Sequence, residues 1–255
     1  MLRVRVIPTL LLRNAGLVKG SQFKDHRYVG DPINAVKIFN EKEVDEMVFL
    51  DIGATASGKG PNFDLLRDIA SEAFMPFGYG GGVSSCDQIE KLFNLGVEKV
   101  IINSAAYNNP QFIEDACRLA GSQSVVVSID VKKSLFGKYE LYINSGKQQV
   151  KGDLIDYVRK IEQLGAGEII LCSIDREGTG KGYDLKLLKD VCNAVDIPVV
   201  ASGGASNLEH FRAAVTESGA SAVAAGDMFV FHGKLKAVLI TYPKYTELTS
   251  FLERR

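Results

Sequence analysis

The stretch VVVSIDVKK (residues 125 to 133) ends an apolar run on Asp130, a carboxylate set where a buried strand would give out into a loop. A carboxyl group so placed can exchange a proton with a bound molecule. The stretch IPTLLLRNAGLVKG (7 to 20) has the same shape but puts Leu11 at the matching place, where no proton can be exchanged. Two other stretches, GYGGGV (78 to 83) and ASGGAS (201 to 206), carry the glycine pairs Gly81-Gly82 and Gly203-Gly204. Successive glycines let backbone N–H groups approach a phosphate, and a following helix start adds its dipole. INSAA (102 to 106), with Asn103 and Ser104, and AAGD (224 to 227), with Gly226, close two further apolar runs. Tight strand-to-helix turns also use glycine, so one pair is a weak sign. Two pairs in one register favour a long ligand with a phosphate at each end.

These groups need elements to position them, and an internal repeat indicates which. Shifting the chain by 122 places lays EMVFLDIGATASGKGPNFDLLRDI (46 to 69) over EIILCSIDREGTGKGYDLKLLKDV (168 to 191). A shift near 119 lays VRVIPTLLL over the strand ending in Asp130, so Leu11 and Asp130 correspond. Short runs rich in Val and Ile predict strands at 4–11, 47–51, 76–80, 98–103, 124–130, 168–173, 197–202 and 220–226. Helices are expected between them. Asp31-Pro32 and Asn109-Pro110 each put a cap before a proline at the first helical position. Ser206 with Glu209 has capping-box spacing. Eight strands alternating with helices predict a (β/α)8 TIM barrel spanning 1–255, made of duplicated (β/α)4 halves at about 1–120 and 121–245. A doubly wound open sheet is the competing fold, but a duplicated four-strand half closes naturally into a barrel.

Composition narrows the function classes. The chain has 255 residues, is 46% hydrophobic and carries a formal charge of −1, which offers no footprint for nucleic acid or an anionic membrane. The opening MLRVRVIPTLLL is too short to span a bilayer and lacks a cleavage site. Cys86, Cys117, Cys172 and Cys192 show neither metal-ligand spacing nor a compact disulfide pattern, which suits the cytoplasm. Cys172 reads as a small buried thiol, and His26, His210 and His232 as surface or structural residues. No metal or cofactor is expected.

GLVKG, VGDP, DEMVFLDI, FGYGGGV, INSAA, GSQSVVVSID, GAGEIILCSIDREGTGKGYD and VVASGGAS together cover essentially the whole chain. It resembles the cyclase (HisF-type) subunit of imidazole glycerol phosphate synthase. The resemblance implies a barrel that takes ammonia from a glutaminase (HisH-like) partner on its N-terminal face and passes it through to a bis-phosphorylated aminoimidazole precursor. It implies one catalytic carboxylate at Asp130, a mobile-loop lysine at Lys19, and active-site acids at Asp51 and Glu177, the latter replacing a usual aspartate. Gly81, Gly82, Asn103 and Ser104 match one phosphate site, and Gly203, Gly204 and Gly226 the other. Arg5, Glu46, Lys99 and Glu168 match a ring of charges guarding the ammonia entrance. They lie near the starts of four strands, so they can converge at the barrel floor, where two charges of each sign compensate.

The pattern breaks at Leu11, where the family has its second catalytic carboxylate. Loss of a positioned acid or base costs on the order of 100- to 10,000-fold. Asp227 is a second departure. Beside the eighth-strand phosphate site it either repels a phosphate or turns away to cap the next helix. TLLLRNAGLVKG with FVFHGKLKAVLITYP is similar to a HisF-like branch of bacterial surface-polysaccharide (O-antigen) clusters. That branch implies ammonia delivery to an ATP-pyrophosphatase-like enzyme that amidinates a nucleotide sugar. The alternatives are an authentic histidine-pathway cyclase using another acid such as Asp51, and a non-catalytic scaffold that activates the glutaminase.

Overall fold

A computed structural model describes residues 4–233 and 235–252. The eight apolar runs become parallel strands: β1 (Arg5–Arg13), β2 (Met47–Asp51), β3 (Phe77–Gly80), β4 (Lys99–Ile102), β5 (Val125–Lys133), β6 (Glu168–Ser173), β7 (Val199–Ser202) and β8 (Ala222–Ala225). Each pairs in parallel with the next, and β8 pairs with β1, from Arg5↔Ala222 to Pro8↔Ala225. The sheet therefore closes on itself as a (β/α)8 TIM barrel, and the open-sheet alternative is excluded.

Strand alternation sorts the side chains into two cores. Val6, Leu10 and Leu12 of β1 face outward and pack with the helices, among them Val36 and Phe39 of α1 (Pro32–Glu41). Ile7, Val48, Ile101, Val126, Ile170 and Val200 form a separate cluster with Ala222 and Ala224 inside the barrel. Gly78 and Gly80 of β3 make room for this inner layer, since a Cβ on either would lie 2.9 Å from Ile101 side-chain atoms.

Helix starts follow the expected chemistry only in part. Asp31 caps α1, its Oδ1 accepting from Asn34 N at 2.9 Å. Asn109 does not cap the next helix, because Gln111–Ala120 begins one residue later with Pro110 at the cap position; it closes the short helix Ser104–Asn108 instead. Nor does Ser206 form a capping box. Asn207 caps the helix Leu208–Ser218 through His210 N, while the Ser206 hydroxyl donates to Gly180 O at 2.9 Å.

Two antiparallel additions lie outside the expected strands. β1 and β5 both run past the barrel rim and turn back: β1 pairs with Gly16–Ser21, which pairs with Lys24–Gly30, and β5 pairs with Tyr139–Ile143, which pairs with Gln148–Val150. The two hairpins meet over the barrel mouth, where Phe23 lies so close to Gly146 that a Cβ there would sit 2.7 Å from the ring. A small hairpin of Phe231–His232 with Ala237–Val238 follows β8.

Ile101 is 3% exposed within the inner layer. Ile101→Ala is expected to lower unfolding free energy by about 2–5 kcal/mol, read as a lower urea midpoint at unchanged slope.

Candidate functional site

The C-terminal ends of the strands surround a cavity of about 390 Å³. β1 and β5 stand on opposite sides of the closed sheet, four strands apart either way, and each sends one side chain of the inner face to its rim. From β5 this is Asp130, and from β1 it is Leu11. Asp130 is 9% exposed and accepts a hydrogen bond from Asn103 Nδ2 at 3.3 Å; the same amide also donates to Ser128 O at 3.0 Å. Burial first, and then the charge of Glu177, push the Asp130 carboxyl up to about 7. It is thus poised to accept or donate a proton near neutral pH. Leu11 presents only methyl groups from a position level with Leu50 on β2.

Lys19 is 2% exposed and turns inward from the first hairpin, its Nζ donating to Thr9 O at 3.0 Å. It crosses directly over Gly226, where any Cβ would collide with Nζ. Glu177 lies near this ammonium. Burial raises the Glu177 carboxyl, Lys19 opposes that rise, and Asp227 reinforces it. The loop carrying Glu177 is clamped by the first hairpin through Gln22 N to Glu177 O at 2.9 Å and Gln22 Nε2 to Asp175 O at 3.0 Å. Asp51 is committed locally, its Oδ1 accepting from Gly53 N at 2.9 Å and Ala54 N at 3.1 Å. One of its two carboxylate oxygens is thus tied to the backbone.

The glycine pairs stand at the expected ends. Gly81 adopts φ +132° and has its would-be Cβ 2.5 Å from Asp51 O; Gly203 adopts φ +92° with Ser173 O at 2.8 Å. Side chains are excluded at both, which leaves the backbone bare toward the cavity, as phosphate binding needs. Ser104 accepts from Asn144 N at 3.0 Å, tying the second hairpin to this rim. Asp227 opens the short helix Asp227–Val230 without capping it. Its Oδ2 faces Lys236 Nζ at 3.4 Å, and its buried Oδ1 has no hydrogen-bond partner among the described residues.

His26 also lines the cavity, which corrects its expected place among surface or structural residues. Its ring contacts Arg13 Nη2 at 3.3 Å, and burial, Arg13 and Lys19 lower its pKa. The alternation of KDHRYVG could have suggested a strand, but nothing in it marks the side facing the cavity. Cys172 is buried, as expected, and its thiol is held well above the ordinary range by burial and the nearby carboxylates.

At the opposite end of the barrel the four charged residues converge. Arg5 bonds Glu46 at 2.5 Å and also Glu168, while Lys99 reaches Glu46 and Glu168 at 2.9 Å each. Each cation bridges both carboxylates, so the ring is closed. Among the described residues no group of three or more His, Cys, Asp and Glu side chains could hold a metal ion, and no helix is long and apolar enough to cross a membrane.

Comparison with known proteins agrees with this geometry. The family described as Histidine biosynthesis protein matches residues 5–236. A Leptospira borgpetersenii protein provisionally named imidazole glycerol phosphate synthase subunit HisF is 48% identical over 97% of this chain and 98% of its own. A Pseudomonas aeruginosa protein, provisionally named subunit hisF2, is 47% identical over 97% and 99%. The imidazole glycerol phosphate synthase subunit HisF of a Hydrogenobaculum species is 43% identical over 91% and 92%. The chain belongs to the histidine biosynthesis protein family, as a HisF-type member.

The raised Asp130 carboxyl has a stability consequence. Its folded pKa of about 7 exceeds the ordinary 3.8, so between pH 4 and 7 the folded chain holds more protons than the unfolded one. Stability then falls as pH rises through this window. Asp130→Asn is expected to flatten that slope and to be the more stable protein at pH 8 by on the order of 2–4 kcal/mol, with little difference at pH 4. Urea midpoints at pH 4, 6 and 8 read this directly.

Proposed function

We propose that this chain is the ammonia-using subunit of a glutamine amidotransferase system, and that it no longer makes imidazole glycerol phosphate. A glutaminase docks at the barrel floor, and ammonia enters through the ring of Arg5, Glu46, Lys99 and Glu168. It crosses the apolar inner layer and emerges beside a phosphorylated ligand held at the strand-end glycines. The product pathway is amidination of a nucleotide sugar for surface polysaccharide, completed by an ATP-pyrophosphatase-like partner.

The observation that carries this reading is Leu11 on the cavity wall across from Asp130. Cyclisation with bond cleavage needs a proton given on one side of the ligand and taken on the other. Here one side offers Asp130 and the other an alkyl group. The closed ring at the floor supports retained ammonia entry, since four charges positioned for mutual bonding close a path that needs control. Neutral ammonia passes an apolar layer at little cost, whereas ammonium must shed its hydration shell. The numerals in the names hisF2 and hisF3 of two relatives support a paralogue.

The second reading is the authentic cyclase. The 43% identity to a relative named HisF without reservation favours it, as does Glu177, a second carboxyl with raised pKa on the cavity. Incubating the purified chain with the bis-phosphorylated aminoimidazole precursor and ammonium salt separates the two, since no glutaminase is needed. The expected outcome is no imidazole glycerol phosphate from the native chain and its appearance with Leu11→Asp, a gain of at least about 100-fold. Robust native turnover returns the chain to histidine synthesis.

A further inference from the structure

Outside the cavity, two projections at the mouth end carry apolar side chains that the chain leaves uncovered. The hairpin extending β5 turns at residues 134–138. There Ser134 N donates to Lys138 O at 2.8 Å, Gly137 N to Ser134 O at 2.9 Å and Lys138 N to the Ser134 hydroxyl at 3.1 Å. Three bonds fix this turn, and its two central residues, Leu135 and Phe136, are fully exposed at 102% and 99%. The second projection is the small hairpin after β8, where Leu235 is 94% exposed and Val238 and Leu239 are half-exposed. Arg27 of the first hairpin clasps it, Nη2 donating to Lys236 O at 3.3 Å while the guanidinium stands 4.5 Å from the Phe231 ring centre. Single exposed apolar residues are ordinary, but an ordered turn that holds two of them in water gains nothing from them in the free chain. Rigid aromatic anchors of this kind fill pockets on a partner.

Position and charge identify the occupant. β5 and β8 stand three strands apart around the closed sheet, so the projections rise on different sides of the opening. Lys133, at the base of the first, lies three residues past Asp130, about 10 Å along the strand from the cavity. A single body engaging both projections lies across the rim, over the opening. The first projection is also basic. Lys132, Lys133, Lys138, Arg176, Lys181 and Lys186 lie on it or along the shallow groove beside it, against Glu140, Asp175, Asp184 and Asp190, in a chain whose formal charge is −1.

We propose that this face docks a second protein, the enzyme that consumes the ammonia, through a surface bearing apolar sockets bordered by carboxylates. This rests on ammonia delivery as proposed above. Ammonia released into water takes up a proton and ceases to be a nucleophile, so its acceptor belongs directly over the opening. A second copy of the chain fits poorly, because mouth-to-mouth packing sets like cations opposite one another and closes both openings. A bilayer also fits poorly, since a turn fixed by three hydrogen bonds presents a shape that a fluid surface has no means to read.

The purified ATP-pyrophosphatase-like amidotransferase, titrated into the full chain bound to its glutaminase, tests the surface. The native chain is expected to bind it, Leu135→Ser with Phe136→Ser to weaken binding at least ten-fold, and Leu235→Ser to weaken it at least three-fold. Lys133→Glu with Lys138→Glu is expected to slow association at low salt, an effect that fades as salt rises. The apolar variants are expected to keep the native urea midpoint and the native affinity for the glutaminase, which docks at the other end. Native affinity in the Leu135→Ser, Phe136→Ser chain would overturn this surface while leaving ammonia delivery standing. No binding by the native chain would overturn the surface together with delivery to that acceptor. Self-association of the native chain, or its binding to phosphatidylglycerol vesicles, abolished by the same pair of substitutions, would put a second copy or a bilayer in the partner's place and overturn it as well.

Discussion

The strict alternation of side chains around a closed sheet is the constraint on which this molecule depends. In β1 it directs Val6, Leu10 and Leu12 to the helices and leaves Arg5, Ile7 and Leu11 on the inside, at floor, middle and mouth in turn. A strand that pairs on both sides cannot rotate one residue outward without breaking its register. Leucine at position 11 is therefore a statement about the mouth: the chain could not hide it, and no neighbouring strand residue can take its place. The same alternation collects one residue each from β1, β4 and β6, and from the entry to β2, into the floor ring. Their four contacts hold charges that would be expensive to bury singly.

Between floor and mouth the barrel is apolar, and this separation gives the two ends independent fates. Loss of a mouth carboxylate does not disturb the ring, because the layer of Ile7, Val48, Ile101, Val126, Ile170 and Val200 lies between them. At the mouth, the remaining acids adjust to one another. Asp130 and Glu177 are both raised by burial, and Lys19 opposes that rise at Glu177. Lys19 donates one of its three N–H groups to Thr9 O, and the first hairpin that carries it is pinned to the Glu177 loop by Gln22.

The barrel was legible because strands buried on both faces read as short apolar runs, and because the glycine pairs and the floor charges sit at strand ends. The hairpins after β1 and β5 were not. The first uses Asn14-Ala15 and Gln22-Phe23, at positive φ, instead of the glycine that usually marks a two-residue hairpin, and the second carries Gly137 and Gly146 at positive φ in turns longer than two residues. With them went the position of His26, which reaches the cavity only because its hairpin folds over it. The caps at Asn109 and Ser206 misled for a simpler reason: each helix starts one residue later, with Asn207 capping through its side chain and Pro110 standing at the cap position without a side-chain bond. The outcome at Asp227 depended on a lysine nine residues further on, a contact that sequence spacing alone does not reveal.

The claim at the centre of this account is that the barrel no longer closes an imidazole ring in the cell. Expressing it in a histidine auxotroph that lacks its own HisF-type subunit but keeps its glutaminase, on medium with abundant ammonium, measures that claim directly. Growth that still requires added histidine is the predicted result. Growth without histidine at rates near those given by a restored HisF would contradict it, and would mean that Asp130 finds its proton-transfer partner somewhere other than position 11.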